Sequence, residues 1–318
     1  MERPPDRLTL VAFVLVVAFG GANAVAIRIG NVELPPFWGA SLRFLFAALV
    51  LAVLALLLRR RPPSRTELRG IAMYGLFNFF GSYALAYWAL QEARAGPAQV
   101  VIAAVPLLTI LLARAQGLER VTRRGLGGAA LAALGVVFLF SDQLGSAVPP
   151  APLPALLGAA VVIAQGAIIA KRSQLGDPYV ANAIAMAIGG GFLLGLSVLA
   201  GESRSFPSSA PALASVGYLV IVGSVGLFMT YLFVLRRWTA SGASFSVLLM
   251  PLLTVSLGAL LLDEPVRPLL LVGGAIVLAG TYVGALWQPR PVAPSSVVPG
   301  PPRTAVPVAA SVVGPPTC

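Results

Sequence analysis

Two stretches of this sequence repeat one another: VPLLTILLARAQGLERVTRRGLGGAALAALGVVFLF occupies residues 105–140, and MPLLTVSLGALLLDEPVRPLLLVGGAIVLAGTYVGAL occupies residues 250–286. A shift of 145 residues superimposes the word PLLT, which begins once at Pro106 and again at Pro251. A glutamate follows each proline at the same spacing, as Glu119 and Glu264. Apolar helices can match by composition alone, but a shared four-residue word with an equally spaced glutamate indicates a duplication.

The composition around these words excludes a soluble domain. Of the 318 residues, 58% are hydrophobic and 10% are charged, and the mean hydropathy is +0.90. Soluble domains carry about 25% charged residues, and a compact shape in water cannot hide this much apolar surface behind so few ions. A transmembrane helix needs about 20 apolar residues. The sequence therefore predicts an all-α, polytopic membrane protein.

Apolar runs bounded by Arg, Pro or Gly divide the chain into ten predicted transmembrane helices. They cover residues 8–29, 37–58, 70–90, 97–117, 126–141, 153–170, 178–200, 213–235, 242–262 and 266–287. The first five and the last five form two repeats, at residues 8–141 and 153–287. Residues 288–318 are rich in proline and lack apolar periodicity, which predicts a disordered cytoplasmic tail.

The basic residues predict the direction of the helices. Most of the 22 Lys and Arg residues lie at the N-terminus and after the second, fourth, sixth, eighth and tenth helices. The other loops hold only Arg28, Arg94, Arg204 and Arg267. Cytoplasmic loops are enriched in Lys and Arg, so we predict a multi-pass protein of the inner or plasma membrane with both termini in the cytoplasm.

The same basic residues have two further interpretations. In a soluble protein a net charge of +11 would point to nucleic acid, but topology explains it here and no nucleic-acid partner is expected. The N-terminus, with Arg3 and Arg7 before an apolar run and the triplet Ala22-Asn23-Ala24, also resembles a cleavable signal peptide. The first helix has a counterpart in the second repeat, which favours a permanent span.

The two repeats are predicted to be inverted. Five helices are an odd number, so the second repeat enters the membrane from the opposite side. Glu119 is then expected in a cytoplasmic loop and Glu264 in an external one. Inverted repeats related by an axis in the membrane plane are an architecture of secondary transporters, in which rocking gives alternating access to a midplane site.

The doubled arrangement resembles a known family. The words at residues 105–140 and 250–286 are similar to the two ends of the EamA repeat, in which a Pro-containing helix, a Gly-Glu or Asp-Glu turn and a Gly-rich last helix recur. SLRFLFAAL at residues 41–49 is similar to its second helix. The resemblance covers nearly all of residues 8–287 and implies a ten-helix EamA-type member of the drug/metabolite transporter (DMT) superfamily. It further implies a carrier of small metabolites, often amino acids or their derivatives, with a central cavity lined by both repeats.

Several chemistries lack the residues that they need. Histidine is absent and the only cysteine is Cys318, so disulfides, haem, iron–sulfur clusters and His/Cys metal sites are not expected, and no cofactor is predicted. None of the 11 acidic residues falls inside a predicted span, where proton-coupled carriers place carboxylates or His. Glu92 comes nearest, but a solvated charge at the end of the third helix is its simpler interpretation.

Polar side chains at mid-depth are the candidates for substrate contact, because a polar group inside a bilayer must find a partner or line a wet path. Each also has a structural interpretation, since Asn, Gln and Ser often join neighbouring helices. The candidates are Asn23, Arg43, Asn78, Tyr83, Gln99, Gln165, Asn182, Tyr231 and Ser244.

The third helix offers two pairs of polar residues. Tyr74 and Asn78 share one face of a regular helix, while Tyr83 and Tyr87 share a face turned roughly 180° away. Both faces of one straight helix cannot line one cavity, so at least one pair is expected to be structural. We favour Asn78 as the substrate contact because it lies near mid-span, whereas tyrosines near a membrane surface often form the interfacial belt.

Arg43 is the one basic residue well inside a predicted span. An arginine at a helix centre costs about 2.5–3.5 kcal/mol on insertion scales. Its side chain can snorkel towards the surface or bond backbone carbonyls, which is the structural interpretation. The functional interpretation is a cation in the cavity that holds a substrate carboxylate.

Pro106 and Pro251 are predicted to kink the fourth and ninth helices, because each lacks the N–H that closes an i→i−4 hydrogen bond. Each kink can serve as a hinge with freed carbonyls that face substrate, or as a static bend relieved by neighbouring helices. The equivalent placement in both repeats suits either interpretation.

Together these patterns predict a secondary transporter, not an enzyme. It would move a small metabolite, an amino acid or a related compound, outward by alternating access through a central cavity, with the lipid bilayer as its other partner. The alternatives are an integral-membrane enzyme acting on lipids or isoprenoids, which would need an acid, base, nucleophile or metal-binding cluster, and a passive channel or lipid carrier on the same scaffold.

Overall fold

The computed structural model describes residues 5–90, 95–141, 152–173, 175–261 and 268–287, and these form ten helical segments without strands. Five are single helices: α1 (Arg7–Gly30), α2 (Pro36–Leu57), α5 (Arg123–Leu139), α6 (Pro152–Arg172) and α7 (Pro178–Leu199). Two are broken in the middle: α4 (Ala95–Ile102 and Val105–Ala115) and α9 (Ala240–Ser244 and Ser246–Leu261). Three contain a π-helical piece: α3 (Arg65–Tyr74, Gly75–Gly81, Ser82–Leu90), α8 (Ala210–Val220, Ile221–Gly226, Leu227–Arg237) and α10 (Pro268–Thr281, Tyr282–Leu286). The Pro-rich tail predicted at residues 288–318, and also Glu92 and Glu264, lie outside the described residues.

Helix length and composition confirm a polytopic membrane fold. Among the described residues, seven helical stretches are long and apolar enough to cross a bilayer: Arg7–Gly30, Pro36–Leu57, Ala98–Ala115, Pro152–Arg172, Pro178–Leu199, Ala210–Arg237 and Ala240–Leu257. A shorter apolar helix covers Leu271–Leu286. The chain is therefore an all-α membrane protein, as its composition predicts.

Two helices begin earlier than their apolar runs because a serine caps them. Ser64 precedes α3, where its hydroxyl accepts the amide of Glu67 at 3.3 Å and its own amide donates to the Glu67 carboxylate at 2.6 Å. This reciprocal capping box starts the helix at Arg65 rather than at the predicted residue 70. Ser209 caps α8 in the same way, accepting the amide of Ala212 at 3.3 Å, so α8 begins at Ala210 rather than at residue 213.

The two prolines of the repeated word occupy different helical positions. Pro106 stands near the start of the second piece of α4, directly after the break at Ala103 and Ala104. A missing N–H costs little there, because the first amides of a helix have no intrahelical partner. Pro251 lies inside the second piece of α9. The sequence predicts a kink within the helix at both prolines, and the structure differs at Pro106, where the helix is interrupted rather than bent.

The two repeats face one another through equivalent helices. The second helices of the repeats, α2 and α7, pack together, and so do the fifth helices, α5 and α10. In addition, α1 packs on α8 and α9, as its equivalent α6 packs on α3 and α4. The approach of α5 to α10 is close, since a Cβ added to Gly135 would lie 2.6 Å from the backbone nitrogen of Val277. A two-fold axis between the two repeats produces this pairing of equivalent helices. Because each repeat has an odd number of helices, the second repeat is inverted relative to the first.

Candidate functional site

A cluster of aromatic rings lies between α2, α3 and α8. The ring centroids of Phe44 and Phe79 are 5.1 Å apart, and Phe228 is 4.6 Å from Phe79. Tyr83 stands 4.7 Å from Phe44, and Tyr74 stands 5.3 Å from Phe79. All of these pairs meet edge to face, the arrangement that aromatic quadrupoles favour. The cluster therefore joins both repeats at the level of the π-helical pieces.

The π-helical piece of α3 changes which of its side chains face each other. A regular helix would turn Tyr74 and Tyr83 to opposite faces, yet both pack on the same aromatic cluster. The i→i+5 bonding of Gly75–Gly81, which lies between the two tyrosines, shifts the helical phase. The prediction that Tyr74 and Tyr83 lie on opposite faces of α3 is therefore wrong, because it assumed a regular helix. That at least one of the two polar pairs is structural stays a prediction.

Arg43 is buried on α2, and its guanidinium reaches α8. Its Nε donates to the Ser224 hydroxyl at 2.7 Å, and its Nη2 donates to the Gly223 carbonyl at 2.6 Å. The guanidinium carbon lies 5.0 Å from the ring centroid of Phe44 and 5.5 Å from that of Tyr83. The third nitrogen, Nη1, is buried without a hydrogen-bond partner.

No carboxylate neutralises this cation within the part of the chain that the structure describes. Arg60 pairs with Asp177, Arg61 with Glu67, and Arg237 with Asp6, and none of these pairs involves Arg43. A buried charge is costly unless it is paired and hydrogen-bonded. Arg43 is held by two neutral acceptors and two aromatic rings, and its Nη1 has no partner.

Asn23 on α1 meets Arg43 at the same carbonyl. Its Nδ2 donates to the Gly223 oxygen at 3.1 Å, and its Oδ1 is buried without a partner. We call this contact, formed by Asn23 and Gly223, the α1–α8 crossing. Asn23 and Arg43 therefore both donate to the Gly223 carbonyl. Each of them also keeps one polar atom without a partner, which is Oδ1 in Asn23 and Nη1 in Arg43.

Asn78 forms the equivalent contact in the other half of the molecule. It lies in the π-helical piece of α3 and packs on Gly166 of α6, where an added Cβ would come within 3.2 Å of the Asn78 Cβ. We call this contact the α3–α6 crossing. The Asn78 carbonyl accepts the Ser82 hydroxyl at 2.6 Å, while its side-chain Nδ2 is buried without a partner.

Two further candidates lie between α7 and α8. Asn182 is fully buried, and its Nδ2 contacts the sulfur of Met229 at 3.6 Å while its Oδ1 has no partner. Tyr231 is half-buried and packs against the core. Asn182 therefore keeps one polar atom, Oδ1, available inside the bundle.

The remaining candidates have local roles in this conformation. Gln165 Oε1 accepts from Gln116 Nε2 at 2.7 Å, which ties α6 to the end of α4. Ser244 donates to the Ser241 carbonyl at 2.6 Å within its own turn. The Gln99 carbonyl accepts the Ala103 amide at 2.9 Å, one turn before the break in α4. The structure does not place these three with Arg43.

One end of the bundle is tied by two glutamates that cap helices of the opposite repeat. This is the far end, where α2 and α8 begin. Glu202 accepts the amides of Phe37 at 3.1 Å and Trp38 at 2.8 Å, at the start of α2. Glu33 accepts the amides of Ser208 at 2.7 Å and Ser209 at 3.2 Å, at the start of α8. The hydrogen bonds from Ser209 and Ser208 hold the pKa of Glu33 below its ordinary value of 4.5.

The near end, where α1 begins, is also tied across the repeats. Glu119, the glutamate of the first repeated word, accepts the Ala240 amide at 2.5 Å at the start of α9. Asp6 pairs with Arg237 at 3.2 Å, and Arg60 pairs with Asp177 at 3.7 Å. Contacts at both ends, together with the burial of Arg43, Asn23 and Asn78, close the central polar residues off from solvent.

The sequence shows Ser224 as a polar residue at mid-depth, but it does not predict that Gly223 and Ser224 hold Arg43. Gly223 and Ser224 carry no motif, and π-helical pieces leave no mark in the apolar periodicity. The repeat offers one signal, because the shift of 145 residues places Gly75–Gly81 almost on Ile221–Gly226 and Asn78 on Gly223. Among the described residues, no group of three or more Asp, Glu, His or Cys side chains is placed to hold a metal.

The fold and this buried site define a class: a polytopic helical carrier built from two repeats that share a central polar site. The EamA-like transporter family matches residues 7–141 and 152–285, and the chain belongs to this family. It is 30% identical to the "Uncharacterized inner membrane transporter YedA" of Escherichia coli K12, over 77% of this chain and 80% of that protein. It is also 30% identical to a "Probable amino-acid metabolite efflux pump" of the same organism, over 87% of this chain and 96% of that protein.

A solved structure shares the fold. One crystal structure aligns with a TM-score of 0.74 and 22% identity, covering 87% of this chain and 96% of that chain. The family and its relatives are named as transporters and an efflux pump rather than as enzymes. The protein is therefore a membrane transporter of the EamA-like family and not an enzyme.

Proposed function

We propose that this protein is a secondary transporter that exports a small zwitterionic metabolite, an amino acid or a related compound, by alternating access. The observation that carries the proposal is the pair of unused polar atoms beside Gly223. Arg43 Nη1 is a buried cationic donor without a partner, and Asn23 Oδ1 is a buried acceptor without a partner. A carboxylate suits the first atom and an ammonium group suits the second.

The charge balance of the site supports a carboxylate. Arginine binds carboxylates through charge-assisted, often bidentate hydrogen bonds, and Arg43 has no described carboxylate as a partner. A substrate anion would supply the missing counter-charge. The ammonium group of the same substrate would find neutral acceptors, Asn23 Oδ1 and further along Asn182 Oδ1. The name of the E. coli efflux pump, which is 30% identical, supports the same class of substrate.

The conformation supports alternating access around this site. Cross-repeat contacts close both ends of the bundle, so opening either end needs only the ties at that end to break. The π-helical pieces of α3 and α8 and the break in α4 are places where backbone geometry can change. Asn78, Tyr83, Gln99, Gln165, Asn182, Tyr231 and Ser244 are proposed to line the path, with Pro106 and Pro251 as hinges.

The proposed orientation follows the basic residues. The near end carries Arg60, Arg61 and Arg237, so we place it and both termini in the cytoplasm. The relatives named as inner membrane transporters support an inner-membrane location. We propose the domain boundaries as two repeats, 8–141 and 153–287, followed by the cytoplasmic tail.

A competition panel in proteoliposomes tests the proposal. Purified protein is reconstituted, and the uptake of labelled amino acids is measured with and without an imposed pH gradient. For each transported compound, three analogues compete: the carboxamide, the decarboxylated amine and the acid without its amino group. We expect saturable flux, and we expect loss of the carboxylate to weaken competition more than loss of the ammonium, since only the carboxylate meets a full charge.

The matched control separates flux from leakage. Protein-free liposomes should behave as background. The variant Arg69→Ala, which removes an exposed arginine from the first piece of α3, should behave as wild type. Equal competition by the acid and its carboxamide would contradict the assignment of Arg43. Product formation without net flux would contradict a transporter altogether.

A further inference from the structure

The Arg43 guanidinium is fixed from the opposite repeat, although its backbone belongs to the first. Two of its three nitrogens donate to α8: Nε to the Ser224 hydroxyl and Nη2 to the Gly223 carbonyl. An arginine side chain has four rotatable bonds, and it loses little entropy on binding only if it is already held in place. The donor Nη1 therefore has a defined position only while α8 keeps its present place.

The π-helical piece of α8 makes these two contacts with Arg43 possible. In a regular α-helix the amide of Leu227 would bond the Gly223 carbonyl four residues earlier. Here that amide is directed at the carbonyls of Val222 and Ser224 instead. The Gly223 carbonyl accepts the side chains of Arg43 and Asn23 in its place. A π-bulge that releases a carbonyl to side chains is a recurrent feature of functional sites.

Of the π-helical pieces of α3 and α8, only that of α8 is built in this way. The shift of 145 residues places Gly223 on Asn78 and Ser224 on Phe79. In α3, therefore, a phenylalanine packed on Phe44 and Phe228 stands where α8 has the hydroxyl that holds Arg43. The hydrogen bonds that hold the Arg43 guanidinium are therefore specific to α8, and the equivalent helix α3 does not form them.

We propose that Ser224 and the Gly223 carbonyl are positioning groups that aim Arg43 Nη1 at the substrate carboxylate, and that movement of α8 withdraws them and releases the substrate. This inference rests on the proposed function and adds its coupling step. The affinity for the carboxylate is high only while α8 lies close enough to α2 for Ser224 and Gly223 to hold Arg43. When α8 moves away, the guanidinium loses two acceptors and its fixed orientation, and the bound carboxylate loses its partner.

The test is Ser224→Ala in proteoliposomes, with KM and maximal rate measured for a transported acid. The change removes one oxygen atom and adds no atoms, so it creates no clash. We expect KM to rise about tenfold, because Arg43 Nη1 is no longer aligned for its charge-assisted hydrogen bond with the carboxylate. A tenfold change in affinity corresponds to about 1.4 kcal/mol. The maximal rate should stay within about twofold, because the release step does not need the hydroxyl.

Two comparisons make the result decisive. Ser215→Ala removes a buried, unpartnered hydroxyl from the same helix and should leave KM unchanged. Ser224→Thr keeps an acceptor at this position and should recover at least part of the affinity. The carboxamide of the substrate should bind Ser224→Ala and wild type equally, because it makes no ionic contact with Arg43.

The outcomes separate this inference from the proposed function. If wild type shows saturable, Arg43-dependent flux but Ser224→Ala keeps the wild-type KM, the positioning role is wrong and the transporter assignment stands. If Ser224→Ala lowers the maximal rate at unchanged KM, the hydroxyl acts in the movement rather than in positioning, and the inference is again overturned. If wild type itself does not distinguish the acid from its carboxamide, the carboxylate assignment fails first.

Discussion

The α1–α8 crossing and the α3–α6 crossing occupy equivalent places in the two repeats, yet they are chemically different. Each sets an asparagine against a glycine beside a π-helical piece. In the first, the asparagine belongs to the first helix of its repeat and the glycine to the third. In the second, the two are exchanged. Duplication thus preserved the close approach of two helices while the polar residue changed sides.

The difference lies in what surrounds each contact. A shift of 142 residues places Arg43 on Ala185, so only the α1–α8 crossing holds a cation. It also carries a hydrogen bond across the repeats, from Asn23 to Gly223, whereas the Asn78 amide nitrogen has no partner. A symmetric scaffold therefore carries an asymmetric site. The scaffold serves the movement of the repeats, and the α1–α8 crossing serves recognition.

Removing the Arg43 cation should have the largest effect on flux, because the cation is the main chemical difference between the two crossings. Arg43→Ala deletes the only side chain that offers charged donors at the centre of the described bundle. Hydrogen bonds to charged groups are worth about 1.5–3 kcal/mol, so we expect flux at low substrate concentration to fall about tenfold to a hundredfold. Arg43→Lys keeps the charge without the planar fork and should recover little.

The control for this variant is another arginine. Arg69 is exposed on the first piece of α3, and surface substitutions usually change stability by no more than about 0.5 kcal/mol. Arg69→Ala should therefore transport nearly as wild type does. If Arg43→Ala and Arg69→Ala have equal flux, Arg43 is a structural residue and the two crossings are functionally alike.

The two glycines should respond unequally to a methyl group. At Gly223 an added Cβ would fall directly on the Asn23 amide, whereas at Gly166 it would lie 3.2 Å from the Asn78 Cβ. Overpacking a tight contact costs typically about 1–3 kcal/mol. We expect Gly223→Ala to lower the apparent Tm of the purified protein clearly and to reduce flux. Gly166→Ala should leave both close to wild type, and equal shifts in Tm would mean that the crossings are equally tight.

Much of this fold can be read from the sequence, and the reason is the bilayer. Apolar runs of fixed length, bounded by Arg, Pro and Gly, predict the helices because a backbone in lipid has few alternatives to a helix. The duplicated PLLT word predicts the repeats. Asn23 and Arg43 are also apparent as polar residues at mid-depth, since any such residue needs a reason to be there.

The partners of those residues could not be read in the same way. The apolar periodicity does not predict the π-helical pieces. The sequence therefore does not predict that Tyr74 and Tyr83 pack on one cluster, or that the Gly223 carbonyl is free to accept side chains. Glu33 and Glu202 look like ordinary loop carboxylates, and only the folded chain shows that they cap helices of the opposite repeat. Long-range pairings depend on how two helices cross, and a single sequence does not encode that geometry locally.

The two asparagines should separate stability from transport. Asn23→Ala removes a hydrogen bond between helices, which in membrane proteins is worth about 0.6 kcal/mol on average and up to about 2. Asn78→Ala removes an amide whose Nδ2 is unpartnered, so it should leave thermal unfolding nearly unchanged. As a proposed contact of the substrate, Asn78→Ala should still lower flux about tenfold at normal expression. Unchanged flux in Asn78→Ala would make the α3–α6 crossing purely structural.

The smallest effect concerns how α3 and α8 begin. The shift of 145 residues places the cap Ser64 of α3 on the cap Ser209 of α8, but the carboxylate comes from different places. In α3 it is Glu67, three residues along the same helix, whereas in α8 it is Glu33 from the other repeat. Glu67→Gln should therefore disturb only the start of α3, while Glu33→Gln should loosen the closure of the far end.

Acid should reproduce the second change without a mutation. The pKa of Glu33 is lowered by its bonds to Ser209 and Ser208, so its tie is fully present above its ordinary value of 4.5 and is lost as the pH falls through its lowered pKa. We expect labelling of a cysteine placed at Ser208, in a Cys318→Ser background and divided by the labelling of a free thiol at the same pH, to be constant from pH 7 to pH 5 and to rise only below about pH 4.5. Glu33→Gln should show the raised labelling already at pH 7, and Glu67→Gln should not. Equal labelling of the two variants would place the far-end closure elsewhere and remove this last difference between α3 and α8.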